Sequence, residues 1–190
     1  MNPDDYMDDL LAHEGCCAWP YCDKRGLVTT GIGNLVASPA AMVTLPWFHR
    51  ADNSLATNDE KAAAFDAVKG AYSSTSPQAA GFYRAISDLR LGLDYVHTLA
   101  RQRLVSEFIP GVIRVFPGFP AFPLPARRGL IDMEYSLGVG GLLKFHTLVT
   151  AANSVPPDWM VVSQQCHRAG GSDERNAWTA NIFKEAAGIE

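Results

Sequence analysis

Glu14-Gly15-Cys16-Cys17-Ala18-Trp19-Pro20-Tyr21-Cys22-Asp23 runs straight into Lys24-Arg25-Gly26-Leu27-Val28-Thr29-Thr30-Gly31-Ile32-Gly33-Asn34-Leu35, and the local grammar of the chain changes inside it. Upstream, Asn2 or Asp4 can cap a helix whose first turn is acidic, as the helix dipole favours. Tyr6, Leu10 and Leu11 recur at helical spacing, which predicts a helix over about 4–13 with these residues facing a core. Glu14 then stands at the helix end, where Gly15 lets the chain leave. Downstream, Lys24-Arg25-Gly26 reads as a turn and Leu27-Val28-Thr29-Thr30 as a β-branched strand. A small antiparallel sheet is expected over 21–36, with Asp23 at a turn and Thr29 on the strand that follows.

The same run carries chemistry. Glu14 and Asp23 are nine positions apart, Thr29 lies six further on, and Gly31 and Gly33 flank Ile32. Cleaving a glycosidic bond takes one carboxyl that protonates the leaving oxygen and a second carboxylate that activates water or stabilises charge on the sugar ring. Glycines let the backbone turn sharply beside a ligand. A helix-end carboxyl among apolar neighbours has its charged form disfavoured and suits the acid role. The plainer alternative is a helix-end Glu and a turn Asp that merely solvate a surface, and an E-x8-D pair alone would not decide between them.

The full pattern, E-x8-D-x5-T-x-G-x-G through Glu14, Asp23, Thr29, Gly31 and Gly33, resembles the signature of the phage-type lysozyme family, glycoside hydrolase family 24. Weaker likeness extends further. Arg128 to Gly138 resembles the family's central buried helix, Phe145 follows at the same remove as in relatives, and Arg175-Asn176-x-Trp178 with Phe183 resembles its closing helix. The resemblance implies an α+β, lysozyme-like fold: a small β-containing lobe over 15–92, a linking helix over 93–116, and a helical lobe from 1–14 and 117–190. It implies hydrolysis, with inversion, of the β-1,4 bond between N-acetylmuramic acid and N-acetylglucosamine in peptidoglycan. Glu14 would be the acid, Asp23 the base or electrostatic partner, and Thr29 the holder of water. Arg175 would orient Glu14, and Leu35 and Tyr135 would touch substrate or pack as ordinary core. Asn34 departs from the family, where histidine is common, as do Ser136 and Leu148 at positions where some relatives contact sugar. Thr30 and Glu134 are reserve candidates for the hydroxyl and the carboxylate. An inactive wall-binding protein and a chitin-type glycosidase are the competing readings.

Composition sets the outer limits. The chain has 190 residues, 47% hydrophobic and 19% charged, with a net charge of −4. That suits one domain or two lobes and is unlike a disordered chain. No basic stripe points to nucleic acid, and no apolar run is long enough to span a bilayer. The acidic amino terminus does not read as a secretory signal. Delivery to the wall would then need a secretion system or a holin, as for an injected antibacterial effector or a phage endolysin. A monomer is expected, as is an immunity or inhibitor protein as partner to an effector. The reading includes no cofactor and no metal, although His13 and His167 lie near cysteines. Cys16, Cys17, Cys22 and Cys166 are either buried thiols or include one disulfide to Cys166.

Along the rest of the chain, 37–56 reads as irregular, with Trp47, Phe48 and His49 either lining a sugar site or packing a core. Thr57-Asn58-Asp59-Glu60 reads as a capping box opening a helix to about Gly70. Pro77–Ile86 is expected to be a short helix and Leu89–Leu91 an extended link. Val96, Ala100, Leu104 and Phe108 mark one helical face, which Pro110-Gly111 should kink or end. Phe119 and Phe122 anchor a proline-rich connection. Further helices are expected over 126–137, stopped by the glycines at 138–141, and over 142–152, 157–167 and 174–187.

Overall fold

The computed structural model describes residues 1–189. It is an α+β protein whose strands all fall before residue 91 and whose later half is helical. Two compact units form, one of residues 14–100 and the other of 1–13 with 101–190. These limits fall close to the ends of helices α1 (Asp4–Glu14) and α5 (Leu93–Arg103).

The strand-bearing unit is built on three antiparallel strands in the order β1 (Cys17–Cys22), β2 (Val28–Gly31), β3 (Asn34–Leu35). A four-residue turn closes the first hairpin. Asp23 N–H donates to Leu27 O at 2.9 Å and Gly26 N–H to Asp23 O at 2.9 Å, with Gly26 at φ +74°. A second sheet pairs β4 (Phe48–His49) with β5 (Leu89–Arg90). The expected irregular segment 37–56 is more ordered than its prolines suggest. Ser38 caps a short helix, α2 (Pro39–Val43), with Pro39 in its first turn, where a missing N–H costs nothing. Trp47 is fully buried and its indole N–H donates to Met42 O at 3.0 Å, so it packs the core. The capping box forms as expected and opens α3 (Asn58–Gly70). The expected helix at 77–86 shrinks to α4 (Ala80–Tyr83), and the extended link becomes β5.

In the helical unit, the stripe of Leu104 and Phe108 is buried, as are Val96 and Ala100 in the other unit. Pro110 neither ends nor sharply breaks this run. Its missing N–H is absorbed by a π-helical turn over Leu104–Phe108, in which Ile109 N–H reaches back to Leu104 O, before α6 (Ile109–Val115) continues. Phe119 and Phe122 anchor the proline-rich connection. Helix α7 (Leu124–Leu142) is interrupted at Gly138, whose φ of 66° and ψ of 167° are not helical. The glycines therefore kink the helix where a stop was expected. Helices α8 (His146–Ala152), α9 (Trp159–Gln165) and α10 (Asp173–Ala186) complete the unit, with α10 against α7 and α9. All four cysteines are free thiols; Cys22 donates to Val68 O and Cys166 to Ser163 O.

Candidate active site

Glu14, Asp23, Thr29, Gly31, Gly33 and Leu35 all belong to the strand-bearing unit. Glu14 is the last residue of α1, and Gly15 follows at φ +66°, a left-handed conformation that ends a helix at little cost to glycine. The apolar surroundings expected for Glu14 are not there: its side chain is exposed, because the chain turns away at Gly15.

Asp23 is held by its own turn. Its Oδ1 accepts the backbone N–H of Arg25 at 2.9 Å and of Leu27 at 2.8 Å. Its Oδ2 meets only the exposed Arg25 side chain, at 3.4 Å, among the described residues. One oxygen is thus fixed by the backbone while the other is presented outward. Thr29 is almost fully buried, and its hydroxyl donates to Leu27 O at 3.1 Å, which leaves the oxygen's lone pairs as acceptors.

Strand register aligns the rest. Tyr21 pairs with Thr29 across β1–β2, and Thr29 pairs with Leu35 across β2–β3. Directly opposed residues share a face, so Tyr21, Thr29 and Leu35 form one cross-strand row, with Leu35 52% exposed at its edge. Thr30 lies on the other face, fully buried, with its hydroxyl on Cys17 O at 3.3 Å. That contact gives it a structural use.

Tyr21 went unremarked in the sequence and proves informative. Burial, then the negative charge of Cys17, Asp23 and Glu14, pushes its phenol up to about 12. The signal was available: a three-residue loop over 24–26 sets 23 opposite 27 and hence 21 opposite 29. Gly31 and Gly33 both have φ +63°, and a Cβ on Gly31 would lie 3.0 Å from Val96 Cγ1. These glycines let the backbone double back from β2 to β3 with Val96 directly against it.

Tyr135 and Arg175 belong to the helical unit. Tyr135 packs on Phe108 with ring centroids 4.4 Å apart, and the Arg103 guanidinium lies over both rings. Arg175 forks onto Asp132, with Nη2 2.7 Å and Nε 3.1 Å from Oδ1. Asp132 is 1% exposed and also receives Arg168 Nη1 at 2.8 Å and His13 Nδ1 at 2.7 Å. Burial alone would raise its pKa. The bonds and charge of Arg175, the charge of Arg168 and the His13 bond outweigh it and hold the carboxyl below its usual range. This buried centre was not foreseen, although an aspartate in the most apolar helix of the chain was the clue. Glu134, two residues on, is also buried, and its Oε2 lacks a hydrogen-bond partner among the described residues. Burial, aided by Glu107 and opposed by Arg114 and Arg103, pushes it up to about 7. It serves packing inside the unit, against Gly111, where an added Cβ would meet Glu134 Oε1 at 2.6 Å.

Among the described residues no cluster of three or more His, Cys, Asp or Glu could hold a metal ion. No helix is long and apolar enough to cross a membrane. A scan against protein-family models finds no match, and neither does a search of curated proteins.

Proposed function

We propose that the protein is a glycoside hydrolase. More narrowly, it acts as a muramidase that cleaves the β-1,4 bond between N-acetylmuramic acid and N-acetylglucosamine in peptidoglycan, with inversion. The observation that supports the reading is the placing of Glu14 at the end of α1, just ahead of β1, with Asp23 in the turn and Thr29 on the second strand of the β1–β2 hairpin.

Glu14, at the exposed helix end, protonates the leaving oxygen. A water attacks the anomeric carbon from the opposite face and gives one proton to Asp23 Oδ2, the oxygen its turn leaves outward. The water's other hydrogen stays on its oxygen, becomes that of the new anomeric hydroxyl, and hydrogen-bonds to Thr29 Oγ1, which can accept because its own hydrogen is engaged by Leu27 O. That pair of hydrogen bonds aims the water's lone pair at the sugar. A small hydroxyl at position 29 leaves room for water between sugar and protein, which fits inversion, and inverting carboxyl pairs stand roughly 6.5–9.5 Å apart. Asp23 keeps its orientation throughout, since two backbone N–H groups grip the other oxygen. The family resemblance supports the same roles, a supporting role for Arg175 toward Glu14, and Leu35 and Tyr135 as substrate contacts. In its biological setting the protein is proposed to act on the wall after delivery by a secretion system or a holin, with an inhibitor protein as partner in the effector case.

Glu14→Gln tests the chemistry. It should lower the release of reducing sugar from purified peptidoglycan by at least about 100-fold, the scale of a lost general acid, with the fold retained. Near-normal release by that variant removes Glu14 from the mechanism. Release from chitin and not from peptidoglycan reassigns the substrate, and binding of wall without any release leaves a wall-binding protein.

A further inference from the structure

The helical unit contains a cavity of about 460 Å3 between α1 and the start of α10, lined by Ala12, His13, Ser172, Glu174, Arg175 and Trp178, with Asp9 at its edge. Apart from Arg175, which is proposed to support Glu14, none of these residues has a part in the chemistry proposed for Glu14, Asp23 and Thr29.

Its charges are largely matched within the protein. Asp9 is gripped by both forks of Arg128 at 2.6 and 2.7 Å, and Arg175 is clasped by the buried Asp132. A strongly anionic or cationic ligand would have to compete with these pairs. What remains, beside the exposed Glu174 carboxylate, is polar and lies against an aromatic wall. Trp178 is half-buried and is held edge-on by the His13 ring, centroids 4.4 Å apart at 75°. Its indole N–H makes no hydrogen bond to another described residue. His13 uses Nδ1 on Asp132 and leaves Nε2 for a ligand. Ser172 Oγ accepts the Arg175 backbone N–H at 3.2 Å and keeps its own hydrogen to donate, while Glu174 offers an exposed carboxylate.

From this arrangement we infer that this cavity of the helical unit is a saccharide-binding pocket. A sugar ring has an apolar C–H face for the indole and a rim of hydroxyls for mixed donors and acceptors. The volume suits one or two rings. The choice of an N-acetylhexosamine as occupant rests on the muramidase reading. On that reading the pocket also answers a need. The chain carries a net charge of −4, so it has no electrostatic hold on an acidic wall, and a second grip on the same polymer raises effective concentration without new charge.

The test is the indole N–H signal of Trp178 in a nitrogen–proton correlation spectrum, identified by its loss in Trp178→Phe, during titration with N-acetylglucosamine and its tetramer. The expected result is a saturable shift of that signal in the wild type and at least tenfold weaker binding in Ala12→Arg, which fills the pocket from an exposed position. If Ala12→Arg does not fold, Glu174→Lys at the exposed rim replaces it. A Trp178 signal that stays still up to the solubility limit of the sugar overturns the inference, as does one that moves equally in the filled variant. Wall hydrolysis is measured separately. A protein that shows the shift but releases no sugar from the wall retains the pocket and loses the hydrolase reading; one that hydrolyses wall without the shift does the reverse.

Discussion

Replacing Asp132 by Asn should destabilise the protein severely and in a pH-dependent way. The side chain is 1% exposed and collects Arg175, Arg168 and His13 on its two oxygens. Asparagine keeps the shape but removes the charge, and it turns an N–H2 toward guanidinium donors. Arg168, 4% exposed on its side chain, is then left as a buried cation with neutral oxygens beside it, those of Thr179, Ser136 and the backbone carbonyl of residue 132. Breaking one partner of a buried ion pair costs about 3–5 kcal/mol. At roughly 2–4 °C per kcal/mol for a chain of this size, the midpoint of thermal unfolding should fall by roughly 6–20 °C, as followed by circular dichroism. The pKa of Asp132 is depressed in the folded state. Its stabilisation is therefore present above its unfolded value, near 3.9, and is lost as pH falls through the lower folded value. The gap between wild type and Asp132→Asn should thus be full at neutral pH and close in strong acid. A loss below about 1 kcal/mol at pH 7, the scale of an ordinary surface change, or a gap that does not change with pH, refutes the argument.

Thr29→Val should cut turnover on peptidoglycan by about 100-fold, whereas Thr30→Val should cost about 1 kcal/mol of stability through its lost bond to Cys17 O and leave kcat alone; steady-state kinetics with thermal melts separate the two. Glu134→Gln should be more stable than wild type at pH 8 by roughly 2–3 kcal/mol and equal to it near pH 4, by urea unfolding. The sign follows from a folded pKa raised to about 7, so the wild type loses stability as pH climbs from about 4.5 through 7. Tyr21, pushed up to about 12, should be a late tyrosine to ionise in an absorbance titration at alkaline pH, and Tyr21→Phe should remove that late step.

Local rules read the elements that local rules govern. The capping box at Thr57–Glu60, the turn after Asp23 and the αL glycine at Gly15 each follow from residues a few positions apart, and all three were legible. The elements that carry the proposed site were legible for the same reason: Glu14 sits on a helix end, and Asp23 and Thr29 on one hairpin. Three features were not. Pro110 predicts a break, yet the helix absorbs it by widening one turn upstream, because the apolar stripe through Leu104 and Phe108 gains more from continuing than from stopping. The glycines at 138–141 predict an end, yet only Gly138 leaves helical geometry. The Asp132 centre joins residues separated by 119, 36 and 43 positions, and no pattern of neighbours announces such a meeting.

The turn at Asp23 has a practical corollary. Its Oδ1 is the keystone of the β1–β2 hairpin, so this one position answers to architecture and, in the proposed mechanism, to reactivity as well. Alanine there would unlatch the loop along with the chemistry and confuse the two. Asparagine can offer the same oxygen to Arg25 and Leu27 while withholding the base, and a protein so altered should hold an intact glycan strand long enough to be crystallised with it.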